Sequence, residues 1–171
     1  MIMTFTGATR DPSLDRMPQR HGIAAVATVN ILWGKQPSWA AACAAVDAVE
    51  EDEGAELSGT WGLFPMRHLF KVFVLAYLEG ILASSEIADF IANDPWCRML
   101  CDERALKVEL LRRFRRSHRG QLEKMLALGI ALLEGSEGAA AMEAGRTSLY
   151  EARARSVVAR AIFWDTMDSD S

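Results

Sequence analysis

The segment from Leu69 to Leu78 constrains the fold more than any other part of the sequence. Nearly all of its residues are apolar, and only Lys71 interrupts the run. Pro65 precedes it, at a position where the missing N–H of a first helical turn costs nothing, and Gly80 follows it as a stop. A helix that is apolar on most sides must be buried on most sides. The sequence therefore predicts a central helix at about 65–80.

The remaining segments also have the pattern of helices. Alanine, leucine, glutamate and arginine dominate the composition and favour helix, whereas β-branched residues are scattered and do not alternate as they would in strands. Further helices are predicted at 39–49, from Ser84 to about Asn93, at 96–101, 103–116, 122–133 and 139–164. The predicted fold class is all-α, a single-domain helical bundle with a divergent helix-turn-helix-like segment.

A chain of 171 residues is long enough for one domain with a sizeable core. The predicted organisation is a flexible N-terminal arm at 1–22, a helical domain at 23–164 and an acidic tail at 165–171. That tail contains Asp165, Asp168 and Asp170, and three acidic residues are also what a two-metal nuclease site uses. Such a site needs rigidly held carboxylates, so these residues are predicted to be a solvated tail.

Positive charge is concentrated in one segment. The whole chain has a net charge of −4, yet residues 98–119 contain eight basic and three acidic residues. On a helix, burial of Phe114 is expected to turn the guanidinium groups beside it outward together. Guanidinium groups bind phosphates and guanine edges, which suits duplex DNA. The predicted DNA-binding residues are Lys107, Arg112, Arg113, Arg115, Arg116 and Arg119. The alternative is a solvated face whose arginines pair with Glu109, Glu123 or the acidic tail.

No catalytic or metal site is predicted. Cys43, Cys97 and Cys101 have no disulfide framework spacing and are interpreted as free thiols. Cys97 and Cys101 with His118 supply three ligands, one fewer than a structural zinc site needs. His68 and His118 lack a recognisable nucleophile, and no phosphate-loop, dinucleotide or hydrolase motif is present. The sequence predicts no enzyme, no cofactor and no small-molecule substrate.

The chain is predicted to be cytoplasmic and to have no membrane partner. No apolar run approaches the ~20 residues that a spanning helix needs. The apolar segment 23–33, followed by 40–45, could imitate a signal peptide, but its upstream region is long and contains Asp11 and Asp15, and Asn30 interrupts it. The tryptophans are predicted to be core anchors, at Trp33, Trp39, Trp61, Trp96 and Trp164.

Residues 61–126 resemble the N-terminal helical domain of DDE-type insertion-sequence transposases. The matching segments are GLFP at 62–65, HLFKVFVLAYLEG at 68–80, SSEIA at 84–88, DPWCRMLC at 94–101 and LLRRFRRSH at 110–118. The last resembles the family's arginine-rich helix, which is associated with DNA contact. The chain departs from the family at Glu109-Leu110, where hydroxyl residues are common. Nothing after Leu133 has the strand pattern of the family's catalytic domain, so strand transfer is not implied.

Two functions follow as hypotheses. The resemblance implies a stand-alone DNA-binding module that binds duplex DNA, such as element ends, through helices at 85–92, 95–101 and 103–116, the last acting as the reader. The alternative is a protein-interaction or homo-oligomerisation domain that has lost DNA binding, in which the alanine-rich helices at 39–49 and 139–164 pack against a partner or a second copy.

Overall fold

A computed structural model describes residues 37–53, 59–135 and 147–169. Within these ranges the chain forms seven helices and one small hairpin. The elements are α1 (Pro37–Glu53), β1 (Thr60–Trp61), β2 (Phe64–Pro65), α2 (Met66–Leu78), α3 (Ser84–Asn93), α4 (Pro95–Leu100), α5 (Val108–Ser117), α6 (Arg119–Leu133) and α7 (Thr147–Ser169). The prediction of an all-α fold is confirmed. The predicted arm at 1–22 and the apolar segment 23–33 lie outside the described residues.

Helix α2 forms the centre of the fold, as its apolar sequence predicts. Leu69, Phe70 and all residues from 72 to 77 are buried. Helix α6 packs against α1, α2 and α7, and Gly129 allows a close approach there because an added Cβ would lie 3.3 Å from Val74 Cγ1. The chain leaves α2 through Gly80, whose φ of 80° is accessible to glycine without strain.

The predicted starts of the two helices that follow α2 agree with the structure to within about one residue, although Ala83, and not the expected Ser84 or Ser85, occupies the N-cap of α3. The carboxylate of Glu86 accepts a hydrogen bond from the backbone N–H of Ala83, 3.3 Å away, ahead of α3. At α4, Asp94 Oδ1 accepts a hydrogen bond from the N–H of Cys97 at 2.8 Å, and Pro95 occupies the first helical position. Both arrangements satisfy N–H groups that have no partner inside a helix.

The predicted helix at 103–116 is wrong in its first turn, because α5 begins at Val108. Asp102 and Glu103 have φ values of 52° and 58°, in the left-handed region that a right-handed helix cannot contain. The backbone N–H of Glu103 donates a hydrogen bond to the carbonyl oxygen of Arg98 at 2.9 Å, which closes a turn after α4. Phe114 is nevertheless buried as expected, together with Leu106 and Leu111.

The β1–β2 hairpin was not predicted, since 58–62 has the composition of a simple helix stop. It pairs Thr60 with Pro65 and Trp61 with Phe64, and Gly62 turns with a φ of 63°. The hairpin carries the Trp61 ring to 4.9 Å from His118 and 5.7 Å from Phe114, measured between centroids. It therefore covers one side of the junction between α5 and α6.

Helix α7 ends later than the sequence indicates, and the predicted helical residues 139–146 lie outside the described residues. It extends from Thr147 to Ser169, beyond the predicted boundary at Trp164. Trp39 is buried and stacks on Trp96, but Trp164 is 48% exposed, so the prediction that Trp164 anchors the core is wrong.

None of the helices in the described ranges is both long and apolar enough to cross a membrane.

Candidate nucleic-acid interface

Helix α5, which carries most of the predicted DNA-binding arginines, has two opposite faces. Leu111, Phe114 and Arg115 are buried on one face, and Arg113 and Arg116 are exposed on the other. Phe114 stacks on Phe73 at 5.4 Å between ring centroids, which holds α5 against α2. The core packing of Phe114 thus fixes which arginines of this helix can reach a ligand.

Arg115 is placed inside the protein, so the prediction that it contacts DNA is wrong. Its side chain is completely inaccessible to solvent. Its Nη1 donates hydrogen bonds to the carbonyl oxygen of Ala161 at 2.7 Å and to Asp165 Oδ2 at 2.6 Å. Its Nη2 donates to the carbonyl oxygen of Leu82 at 2.6 Å. A buried guanidinium is tolerated only when it is paired and hydrogen-bonded in this way.

Asp165 supplies the counter-charge, which corrects the prediction that it belongs to a solvated tail. Its side chain is 1% exposed. Besides Arg115, it accepts hydrogen bonds from the backbone N–H of Ser84 at 2.9 Å and from the Ser84 hydroxyl at 3.0 Å. Asp168 is exposed and accepts a bond from the Ser85 hydroxyl at 2.9 Å. Two of the three tail aspartates therefore tie α7 to the start of α3, and Asp170 lies outside the described residues.

The Arg115 guanidinium also lies over aromatic rings of the central helix. Its central carbon is 5.5 Å from the centroid of Phe73 and 5.6 Å from that of Tyr77. Burial raises the pKa of the Tyr77 phenol, and the nearby Arg115 cation offsets part of that rise. The phenol is therefore neutral at physiological pH, and Arg115 joins α2, α5 and α7 at a single point.

The other predicted residues divide into occupied and available cations. Arg112 is half-buried, with its Nε 3.9 Å from Asp165 Oδ1. Arg119 donates from Nε to Glu123 Oε1 at 2.7 Å, a pairing that the solvated-face alternative expected. Lys107 is exposed immediately before α5.

Arg113 and Arg116 form the available pair on the outer face of α5. Both are exposed, and they lie three residues apart, so they project from neighbouring turns of the same face. Among the residues that the structure describes, no carboxylate lies within 4.0 Å of either guanidinium. Glu109 is the acidic residue on this face and lies in the first turn of the helix. Lys107, Arg113 and Arg116 are thus the exposed cations of the predicted set that have no carboxylate within 4.0 Å among the described residues, whereas the exposed Arg119 is paired with Glu123.

The cysteines at 43, 97 and 101 and His118 lie in or against the core, and His68 Nδ1 lies 2.8 Å from the carbonyl oxygen of Leu100. Cys97 and Cys101 are buried, and burial raises the pKa of Cys43 and of Cys101 to about 11 in each case. His118 stacks on Phe114 at 4.5 Å, and its Nδ1 lies 3.1 Å from the carbonyl oxygen of Phe114. In the described ranges, no three histidine, cysteine or acidic side chains are grouped so that they could hold a metal ion.

The sequence interpretation expected the helix at 139–164 to pack against a partner or a second copy in one of its two hypotheses, but it did not name the cationic and apolar residues of that surface. Arg155, Arg160, Phe163 and Trp164 are all exposed on α7. The signal was present in the spacing of residues 149–167, whose apolar and small side chains follow two separate helical stripes.

Comparison with protein-family models, with curated proteins and with solved structures found no match for this chain.

Proposed function

We propose that this protein binds double-stranded DNA through the exposed face of α5. The observation that carries the proposal is the pair Arg113 and Arg116, two exposed guanidinium groups one turn apart without a carboxylate partner among the described residues. Lys107 adds a third exposed cation at the start of the same helix. Cations in this arrangement can each neutralise a phosphate and release its counterions.

The packing beneath α5 supports this proposal because it makes the helix a rigid platform. Phe114 and Arg115 hold the inner face against α2 and α7. A helix whose inner side is locked presents its outer side chains in a fixed orientation, as a reader helix in the major groove must. The resemblance to transposase N-terminal domains favours duplex DNA, including element ends. In this proposal the protein occupies DNA and performs no catalytic step of its own.

The experiment is fluorescence anisotropy with a labelled mixed-sequence duplex at about 50 and about 200 mM salt. The wild-type chain is compared with Arg113→Ala/Arg116→Ala, which removes two exposed charges from α5. A matched control, Arg155→Ala/Arg160→Ala, removes two exposed charges from α7 and leaves α5 intact. Circular dichroism checks that all three proteins have the same helical content.

We expect the α5 variant to bind about tenfold or more weakly at the lower salt, and the slope of log K against log salt to fall by about two. The α7 control should retain both the affinity and the slope. The proposal is wrong when the wild-type chain does not bind at the lower salt, or when the control loses as much affinity as the α5 variant.

A further inference from the structure

Helix α7 has a second face that the rest of the described chain leaves exposed. Its inner stripe, Tyr150, Ala154, Val158, Ala161 and Asp165, is buried. On the opposite side lie exposed residues spaced three or four apart, as in a helix that packs against another helix. This outward face of α7 consists of Leu149, Ala152, Ser156, Ala159, Phe163 and Met167.

Large apolar side chains at both ends of this face are exposed. Leu149 is 62% exposed at the start of the helix, and Phe163 and Met167 are 59% and 51% exposed near its end. Trp164, beside Phe163, is 48% exposed. Aromatic residues, methionine and arginine are the residue types enriched in protein interfaces. A patch of this kind on a folded domain indicates a binding surface.

The profile of the face fits a helix. Its middle carries only the small side chains of Ala152, Ser156 and Ala159, between the large residues at the two ends. Small residues let a second helix approach to the usual packing distance of about 8–10 Å. Helix α7 has 23 residues and is about 35 Å long, so that a partner helix of similar length could lie along it.

The charges beside the face select the kind of helix. Arg153, Arg155 and Arg160 are exposed along its flanks. Arg153 pairs with Glu134, whereas neither Arg155 nor Arg160 has a carboxylate within 4.0 Å among the described residues. Packing two copies of this face together would bring arginines of both copies close to one another, which costs energy. A partner with acidic flanks would instead be attracted.

We propose that the outward face of α7 binds an amphipathic helix of another protein, with an apolar stripe against Leu149, Phe163 and Met167 and acidic residues against Arg155 and Arg160. This surface is separate from the outer face of α5, so the inference does not rest on DNA binding. Duplex DNA would satisfy the arginines but would leave the apolar side chains against phosphates and water.

The test uses the full chain and three labelled synthetic peptides of about 20 residues. The first has leucine and alanine at heptad a and d positions with glutamate flanks. The second replaces the glutamates by lysine, and the third keeps the glutamates and replaces the leucines by serine. Anisotropy gives Kd for the wild-type chain and for Phe163→Ser, Arg155→Glu/Arg160→Glu and the α5 control Arg113→Ala/Arg116→Ala. Sedimentation of the unlabelled chain and competition with an unlabelled duplex complete the set.

We expect the first peptide alone to bind, with Kd in the range of about 10–100 µM, and each α7 variant to weaken it at least about tenfold. The α5 control should bind as the wild type does, and the duplex should not displace the peptide. Any of four results overturns the inference. Two concern the peptides: no binding up to about 1 mM of the first peptide, or equal binding of the lysine or serine peptide. The other two are displacement of the peptide by duplex, and a wild-type dimer that Phe163→Ser dissociates, which would make a second copy the occupant. Because the α5 variant is the control here and the α7 variant is the control for DNA, failure of either proposal is distinguishable from failure of the other.

Discussion

Arg115 and Asp165 are 50 positions apart in the sequence, and in the fold their Nη1 and Oδ2 atoms are 2.6 Å apart. Neither side chain reaches solvent to more than 1%. The guanidinium also donates to the carbonyl oxygens of Leu82 and Ala161, and the carboxylate also accepts from Ser84. Each charge is therefore balanced by its partner and by hydrogen bonds that water would otherwise supply.

We expect Arg115→Met to lower the free energy of unfolding by about 3–5 kcal/mol, because it leaves the Asp165 carboxylate buried without its main cation. Urea denaturation followed by circular dichroism measures the loss. The double variant Arg115→Met/Asp165→Leu should recover most of that stability, since an apolar pair of similar volume carries no desolvation cost. A single variant within about 1 kcal/mol of wild type would contradict the structural role assigned to Arg115.

Two adjacent serines each donate a hydrogen bond to α7, one of which is buried and the other exposed. The Ser84 hydroxyl donates to buried Asp165, and the Ser85 hydroxyl donates to exposed Asp168. Ser84→Ala should cost about 1.5–3 kcal/mol of unfolding free energy, because its acceptor is ionised and shielded from water. Ser85→Ala should cost less than about 0.5 kcal/mol. Thermal unfolding of both variants under identical conditions tests the difference, and equal losses would count against it.

The close packing at Gly129 predicts opposite effects at two glycines of α6. An added side chain at Gly129 meets Val74 at 3.3 Å and Leu78 at 3.4 Å, whereas nothing lies within 4 Å of an added Cβ at Gly120. Gly129→Leu should destabilise the protein by about 1–3 kcal/mol through overpacking. Gly120→Ala should stabilise it by about 0.4–1 kcal/mol through reduced unfolded-state entropy. The denaturant midpoint of each variant shows whether it is less or more stable than the wild type. Stabilisation by Gly129→Leu would show that α1, α2 and α6 are packed less tightly than the structure indicates.

The raised thiol pKa values predict a loss of stability at high pH. Burial raises the pKa of Cys43 and Cys101 from about 9 to about 11. Above about pH 9 the unfolded chain releases these protons while the folded chain keeps them. The contribution of the two thiols to the free energy of unfolding is therefore fully present below that pH and is lost as the pH rises to about 11. Denaturation at a series of pH values measures the fall, and Cys43→Ala should reduce its steepness.

The same pKa shifts predict slow chemical modification of the folded chain. Thiolate is the reactive form, so at pH 8 the native protein should react with an alkylating reagent far more slowly than the urea-unfolded protein. Mass spectrometry of quenched samples measures the labelled fraction over time. Rapid labelling of Cys101 in the native state would show that its surroundings open readily.

Local signals predicted the helices well where each signal acts within a few residues. Pro65 and Gly80 bound the central helix, and Asp94-Pro95 separates α3 from α4, because backbone sterics and missing N–H groups act locally. The start of α5 could not be predicted in this way. Its delay depends on the left-handed conformations of Asp102 and Glu103, whose residue types are compatible with a helix.

Whether each arginine of the candidate interface is buried or exposed could be predicted only in part from the sequence. Helical spacing places Arg115 beside Leu111 on the inner side of α5, yet residue type alone predicts that arginine faces water. Its burial is possible because the carboxylate of Asp165, 50 positions later in the sequence, pairs with it. Arg113 and Arg116 lie on the outer side by the same spacing, so for them pattern and residue type agree.

The bonds from Ser84 to Asp165 join residues 81 positions apart, and this separation has a consequence for the order of events during synthesis. While the ribosome is still adding residues beyond Arg115, that cation has no counter-charge within the nascent chain at the place where it will be enclosed. The surface around Leu82 and Phe73 must stay hydrated until α7 emerges and docks. Enclosure of Arg115 is thus a late step of folding during synthesis, because α7 is made after the other described helices and is the one that expels water from around this cation.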